Sequence, residues 1–188
     1  PPSSWSGQHD DEVGRLCRWC IARKGFELIH AHCLQVLTAA PLLVAAALGI
    51  PYLVTLHDAW WLSPLQFLTA PQGQPVDPAD PLGHRPVATS RDPLAIEKAI
   101  ERRNDLAAVL AGASARLAVS ESFADLYRQA GIAAVEVLEN DWTPMATVSR
   151  PPRRADSPLR LCHVGGMSAH KGFAVLRAAV LQVSQSGL

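Results

Sequence analysis

The sequence has no surplus of charge of either sign. Seventeen lysines and arginines stand against seventeen aspartates and glutamates, a formal net charge of zero. That excludes the dense basic face a nucleic-acid-binding protein needs. The one basic cluster, Arg150 to Arg154, is short, sits among prolines and reads as a solvated linker. Cysteines are few, and four of them in 188 residues do not build a disulfide scaffold. A reducing, cytoplasmic setting fits. Long apolar runs are missing too. The longest, Ala39 to Val54, is broken by Pro41, Gly49 and Pro51 and is too short to span a bilayer. The amino end, Pro1 to Glu12, is polar and shows no signal-peptide pattern. Methionine occurs only as Met145 and Met167, so the chain is expected to be a fragment or a processed product. There is no G-x-S-x-G, no H-E-x-x-H and no calcium loop.

What is present is a normal globular balance. Hydrophobic residues make up 48% and charged residues 18%, core enough for one domain or one and a part. Asp10 to Lys24 reads as a helix, with Val13, Leu16, Cys17, Cys20 and Ile21 at helical spacing and Gly25 as its stop. Phe26 to His32 reads as a strand, Leu34 to Leu48 as an alanine-rich helix, and Tyr52 to Leu56 as a buried strand. Pro71 to Pro93 has no period and reads as a long loop. Leu94 to Ala113 is a helix with Glu97, Lys98, Glu101, Arg102 and Arg103 on its wet side. A strand at Arg116 to Val119, a helix capped by Ser120 or Ser122, and a strand at Ala134 to Leu138 follow. Leu159 to Val164 then starts a new strand and Phe173 to Ser184 a new helix.

This alternation predicts an α/β fold, a Rossmann-like parallel sheet with helices on both faces. It also predicts a first domain over 1–145, a linker over 146–157 and the first strand, turn and helix of a second domain over 158–188. In such sheets ligands bind beyond the carboxyl ends of the strands. Each predicted strand ends in a polar residue or glycine there: His32, His57, Ser120, Asn140 and Gly165.

The run from Tyr52 to Trp61 is the most telling. Five strand residues break into His57-Asp58, two titratable groups, and then Trp60-Trp61. His57 is a candidate base, since histidine titrates near neutrality, against the plainer reading that it bonds its own loop. The tryptophans could stack on a sugar face, or pack under the long loop. Leu161 to Gly172 is a strand, a glycine turn at Gly165-Gly166, a lysine at Lys171, and then a helix. Glycines admit a phosphate and a lysine adds charge, yet the pattern equally suits a structural turn. Cys17-x-x-Cys20 and His30-x-His32 suggest a metal site; because the cysteines fall on a helix's apolar face, they read as small hydrophobes and no metal is expected.

With these residues in view the chain resembles glycosyltransferase family 4, retaining enzymes of the GT-B fold. His30-Ala31-His32 is similar to the family's "HaH" strand end, and the run from Gly49 to Asp58 to its "GiPyvvtlHD". Ala118 to Ser122, Gly131-Ile132 and Asn140 are similar to "avSe…Gi…vi.NG", and Val164 to Gly172 to "vGrl…KG". The order and spacing cover the chain from about Glu27 onward. Two departures stand out: Gly166 replaces the arginine of "vGrl", and Asn140-Asp141 replaces "NG".

The resemblance implies a GT-B half. The first domain is then the acceptor side and the second the start of the donor side, with a cleft between two Rossmann-like domains. It implies sugar transfer with retention from a nucleotide-sugar donor to a glycan or lipid-linked acceptor. By that likeness His57 faces the donor sugar, and Lys171 with the Gly165 and Gly166 amides holds the donor diphosphate. Asp58, Trp61, Ser120 and Asn140 line the site. No metal or other cofactor is expected, the nucleotide-sugar being a substrate. A lipid-linked acceptor would bring the protein to the inner membrane face, although no basic amphipathic helix supports it. The isolated fragment is expected to be inactive. The competing reading is a non-catalytic α/β module that binds a phosphorylated ligand.

Overall fold

A computed structural model describes residues 10–70, 73–79, 93–141, 160–168 and 171–186, the side chains of 93–96 aside. The chain divides into two compact units, Pro1–Trp142 and Thr143–Leu188. The expected linker at 146–157 lies outside the described residues, as does most of the loop expected at Pro71 to Pro93.

The first unit opens with α1, Asp11–Lys24. Its ends are set by local chemistry. The Asp10 carboxylate accepts from the Glu12 and Val13 amides at 2.9 and 3.0 Å, and Gly25 closes the helix at φ 66°. Next come β1 (Ile29–Ala31), α2 (Ala40–Ala47) and β2 (Tyr52–Leu56). After these run α3 (Pro93–Ala111), β3 (Ala115–Ala118), α4 (Glu121–Gln129) and β4 (Val135–Val137). Ser120 rather than Ser122 caps α4, its hydroxyl accepting from the Phe123 amide.

α2 starts six residues later than its sequence suggests. Pro41 sits in its first turn, the one place where a missing N–H and a fixed φ cost nothing. A proline seven residues inside a helix from Leu34 would have cost a hydrogen bond and clashed. Thr38, at φ 58°, turns the chain instead.

The four strands form one parallel sheet in the order β1-β2-β3-β4. Ala31 pairs with Val54, Leu56 with Ala118, and Ala118 with Val137. Alternation then sorts the side chains. Ala31, Tyr52, Val54, Leu56, Ala118 and Val135 share one buried core with Leu42 and Ala45 of α2, Leu106 and Leu110 of α3, and Ala124 and Tyr127 of α4. The opposite face carries His30, Leu53, Thr55, Leu117 and Glu136. The expected parallel α/β architecture is therefore what the chain folds into.

In the second unit α5 spans Phe173–Gln185 and buries none of its residues. The strand expected at Leu159 to Val164 is not formed over 160–164. A strand exists only as a paired element, and among the described residues of this unit there is no second strand to pair with. Among the described residues no helix is long and apolar enough to cross a membrane.

Candidate functional site

Parallel pairing in sequence order brings the carboxyl ends of all four strands to one edge. His32 directly follows β1 and His57 directly follows β2. Ser120 lies two residues past β3 and Asn140 three past β4. The structure thus gathers four of the sequence-derived candidates along a single rim.

The imidazoles are the densest group there. His32 Nδ1 and His57 Nε2 are 2.9 Å apart, within hydrogen-bond reach. His30 stacks on His32 with ring centroids 4.2 Å apart, and its Nε2 meets the Thr55 hydroxyl at 2.8 Å. Desolvation, and then the His32 and His57 rings, hold the His30 imidazole below its ordinary pKa. Alternation explains the cluster: H-x-H on β1 and T-x-H on β2 put all four side chains on one face of adjacent strands.

Asp58 is held from three sides. One carboxylate oxygen accepts from Gln35 Nε2 at 2.6 Å and Gln66 Nε2 at 2.5 Å, and the other from the Trp60 amide at 2.9 Å. The Tyr127 hydroxyl donates to the Asp58 carbonyl at 2.6 Å. Burial, reinforced by Asp58, pushes the Tyr127 phenol well above its ordinary pKa, so it remains a donor at any physiological pH. Asp58 therefore shapes the rim loop. Nothing local in the sequence marked Gln35, Gln66 or Tyr127; each reaches Asp58 only through the tertiary fold.

The tryptophans lie inside. Trp60 and Trp61 are 2% and 3% exposed and meet edge to face, so neither offers an open ring to solvent. Trp61 lines a cavity of about 320 Å³ with Leu62, Arg103, Asn104 and Ile132. Under this loop lies Arg102, which the helical pattern had placed on the wet side of α3. It is 2% exposed. Its guanidinium stacks over the Trp60 ring at 4.8 Å and donates from Nη2 to the Trp60 carbonyl at 2.8 Å. Its Nε and Nη1 have no hydrogen-bond partner among the described residues. Burial pushes its pKa down to about 10, still charged at neutral pH. The loop after β2 folds over this face of α3, a non-local event that helical periodicity cannot report.

Ser120 spends its hydroxyl on capping α4, and Asn140 is exposed. Gly165, Gly166 and Lys171 belong to the second unit. Gly165 has φ 140°, a backbone conformation that side-chain-bearing residues rarely adopt, while a Cβ there would meet the His163 ring only at an ordinary 3.8 Å. Lys171 is exposed just before α5, whose first residue follows Gly172 at φ 69°. Cys17, Cys20 and His30 line one apolar groove beside Phe26 and Leu28. Among the described residues no three histidine, cysteine or acidic side chains are arranged to hold a metal ion.

The model of one protein family, described as "Glycosyl transferase 4-like domain", matches residues 5–141. No curated protein and no solved structure matches the chain. The family match spans well over half of the 188 residues, including every strand of the sheet and the whole histidine rim. The chain belongs to the glycosyl transferase 4-like family, and its chemistry is glycosyl transfer.

Proposed function

We propose that the chain is part of a retaining glycosyltransferase that uses a nucleotide-sugar donor and a glycan or lipid-linked acceptor. The observation that carries the reading is the rim: His32, His57, Ser120 and Asn140 stand together where open α/β sheets bind ligands. His57 faces the donor sugar. Lys171 and the amides around Gly165 and Gly166 hold the diphosphate. Negative charge grows on that leaving group as the sugar departs, and a fixed cation there favours the transition state. This scheme uses side-chain and backbone cations and dipoles in place of a metal. Asp58 and Trp61 act from beneath, by holding the loop that carries the site.

The protein acts in the cytoplasm, at the membrane face where its acceptor is lipid-linked. The 188 residues alone do not transfer sugar on this reading, because α5, which follows the proposed diphosphate contacts, buries none of its residues. Three measurements test this reading. Calorimetric titration with nucleoside diphosphates is expected to show binding that weakens about tenfold in Lys171→Ala, the loss of one charge-assisted contact. Product anomers read by NMR from the full-length protein are expected to match the donor. Sugar transfer by these 188 residues, or diphosphate binding indifferent to Lys171, would contradict the scheme.

A further inference from the structure

His57 is not free to turn. Among the described residues its ring has one hydrogen-bond partner, His32, which reaches its Nε2 at 2.9 Å. A neutral imidazole carries one N–H, so in this pair one ring donates and the other accepts. Whichever way the proton lies, His57 Nε2 is committed to His32. Nδ1 is then the only nitrogen left to meet a ligand, and its state as donor or acceptor follows from the bond at Nε2.

His32 is itself held. The His30 ring lies against it at 4.2 Å, tilted by 40°. His30 is anchored in turn by Thr55 Oγ1 at 2.8 Å, a hydroxyl on a residue only 5% exposed. The line Thr55, His30, His32, His57 thus runs from a buried strand position to the rim. The Thr55–His30 and His32–His57 links cross between the neighbouring segments of β1 and β2, whose register fixes their spacing, and the His30–His32 link runs along the end of β1. Histidines that only filled space at a strand end would need no such orientation.

We infer that His32 is a positioning residue for sugar transfer, which sets the ring orientation and the tautomer of His57, with His30 and Thr55 holding His32 in place. The inference rests on the proposed role of His57 toward the donor. It goes beyond that role by assigning function to three residues that touch no substrate in the scheme.

The chemistry dictates which substitutions rescue. The contact leaves His32 through Nδ1, and an asparagine amide occupies nearly the same place on its shorter side chain. A glutamine amide reaches to where Nε2 stands. A leucine keeps bulk and loses the bond. The test is the long-range ¹⁵N–¹H spectrum of the histidine rings in the 188-residue chain without donor, with kcat and KM measured on the full-length enzyme. In the native protein His57 is expected to show one tautomer. His32→Leu is expected to release it into a mixture, and His32→Asn to restore a single form where His32→Gln does not. On the full-length enzyme kcat/KM for the donor is expected to fall about fivefold in His32→Leu, the size of one neutral hydrogen bond, and to recover in His32→Asn. Unchanged His57 signals in His32→Leu would overturn the pairing. A released tautomer with unchanged kcat/KM would overturn the positioning role. Because the spectra are recorded without donor, a failure of the donor reading leaves them untouched, so the two failures cannot be confused.

Discussion

At the scale of single residues, Asp58 and Arg102 are two charged side chains that both hold the loop after β2, and they behave oppositely. Asp58 has every acceptor satisfied. Replacing it with alanine strands the donors of Gln35, Gln66 and the Trp60 amide, two of them side chains that water can reach. The expected loss is about 2–3 kcal/mol, with asparagine losing roughly half as much, measured by urea unfolding. Arg102 is buried, and among the described residues two of its nitrogens have no hydrogen-bond partner and no carboxylate pairs with it. Removing an uncompensated buried charge carries a gain that offsets the lost contact to the Trp60 carbonyl. Arg102→Met, which keeps the stem's packing, is expected to change stability by no more than about 1 kcal/mol, while Arg102→Ala loses about 3 kcal/mol to the cavity left behind. A large loss in Arg102→Met would mean that the guanidinium is paired after all. Of these two residues the sequence advertised Asp58, through its place at a strand end. It concealed Arg102, because what buries that side chain is a loop some forty residues away.

At the scale of elements, most boundaries were legible where the signal is local. Asp10, Gly25 and Ser120 end helices by capping chemistry, and Tyr52 to Leu56 is a strand by branched and aromatic content alone. Where the decision is non-local, the pattern misled. α2 begins late because Thr38 turns the chain before Pro41, and residues 160–164 form no strand because no second strand stands beside them among the described residues of their unit. The histidine cluster was half legible: alternation places His30 with His32 and Thr55 with His57, but their meeting needs β1 beside β2 in the observed register. The seam between β2 and α3 offers a quantitative test of packing. The Tyr52 hydroxyl donates to the Val109 carbonyl at 2.6 Å, and a methyl group on Gly112 would stand 2.6 Å from that same hydroxyl. Tyr52 is 4% exposed and has nowhere to swing. Gly112→Ala alone is expected to cost about 1–3 kcal/mol by overpacking, and Tyr52→Phe about 1 kcal/mol by the lost bond. The double variant is expected to cost less than the sum, since phenylalanine removes the atom the methyl strikes. A strictly additive cycle would place the strain elsewhere.

At the scale of the whole molecule, the two units differ in what holds them. The first has a continuous core in which strand residues from β1 to β4 meet three helices. It buries large side chains completely, among them Leu42, Leu56, Leu106, Leu110 and Tyr127. The second has a 13-residue helix with Val175, Leu176, Val180, Leu181 and Val183 all exposed. A helix of that length without an apolar partner is marginal in water, since the cost of its first turn is recovered by few hydrogen bonds. A chain ending at Trp142 is therefore expected to unfold in one cooperative urea transition, with a slope of roughly 1–3 kcal/mol per molar as for small domains. A peptide of residues 143–188 is expected to show weak helical circular dichroism that fades gradually on heating. Each half of this expectation can fail separately. A broad, uncooperative transition in the first would mean that the histidine rim sits on a sheet that is not independently stable, and the site could not be studied in isolation. A sharp thermal transition in the second would mean that its apolar face finds a partner within those 46 residues, for which the described residues of α5 offer no candidate.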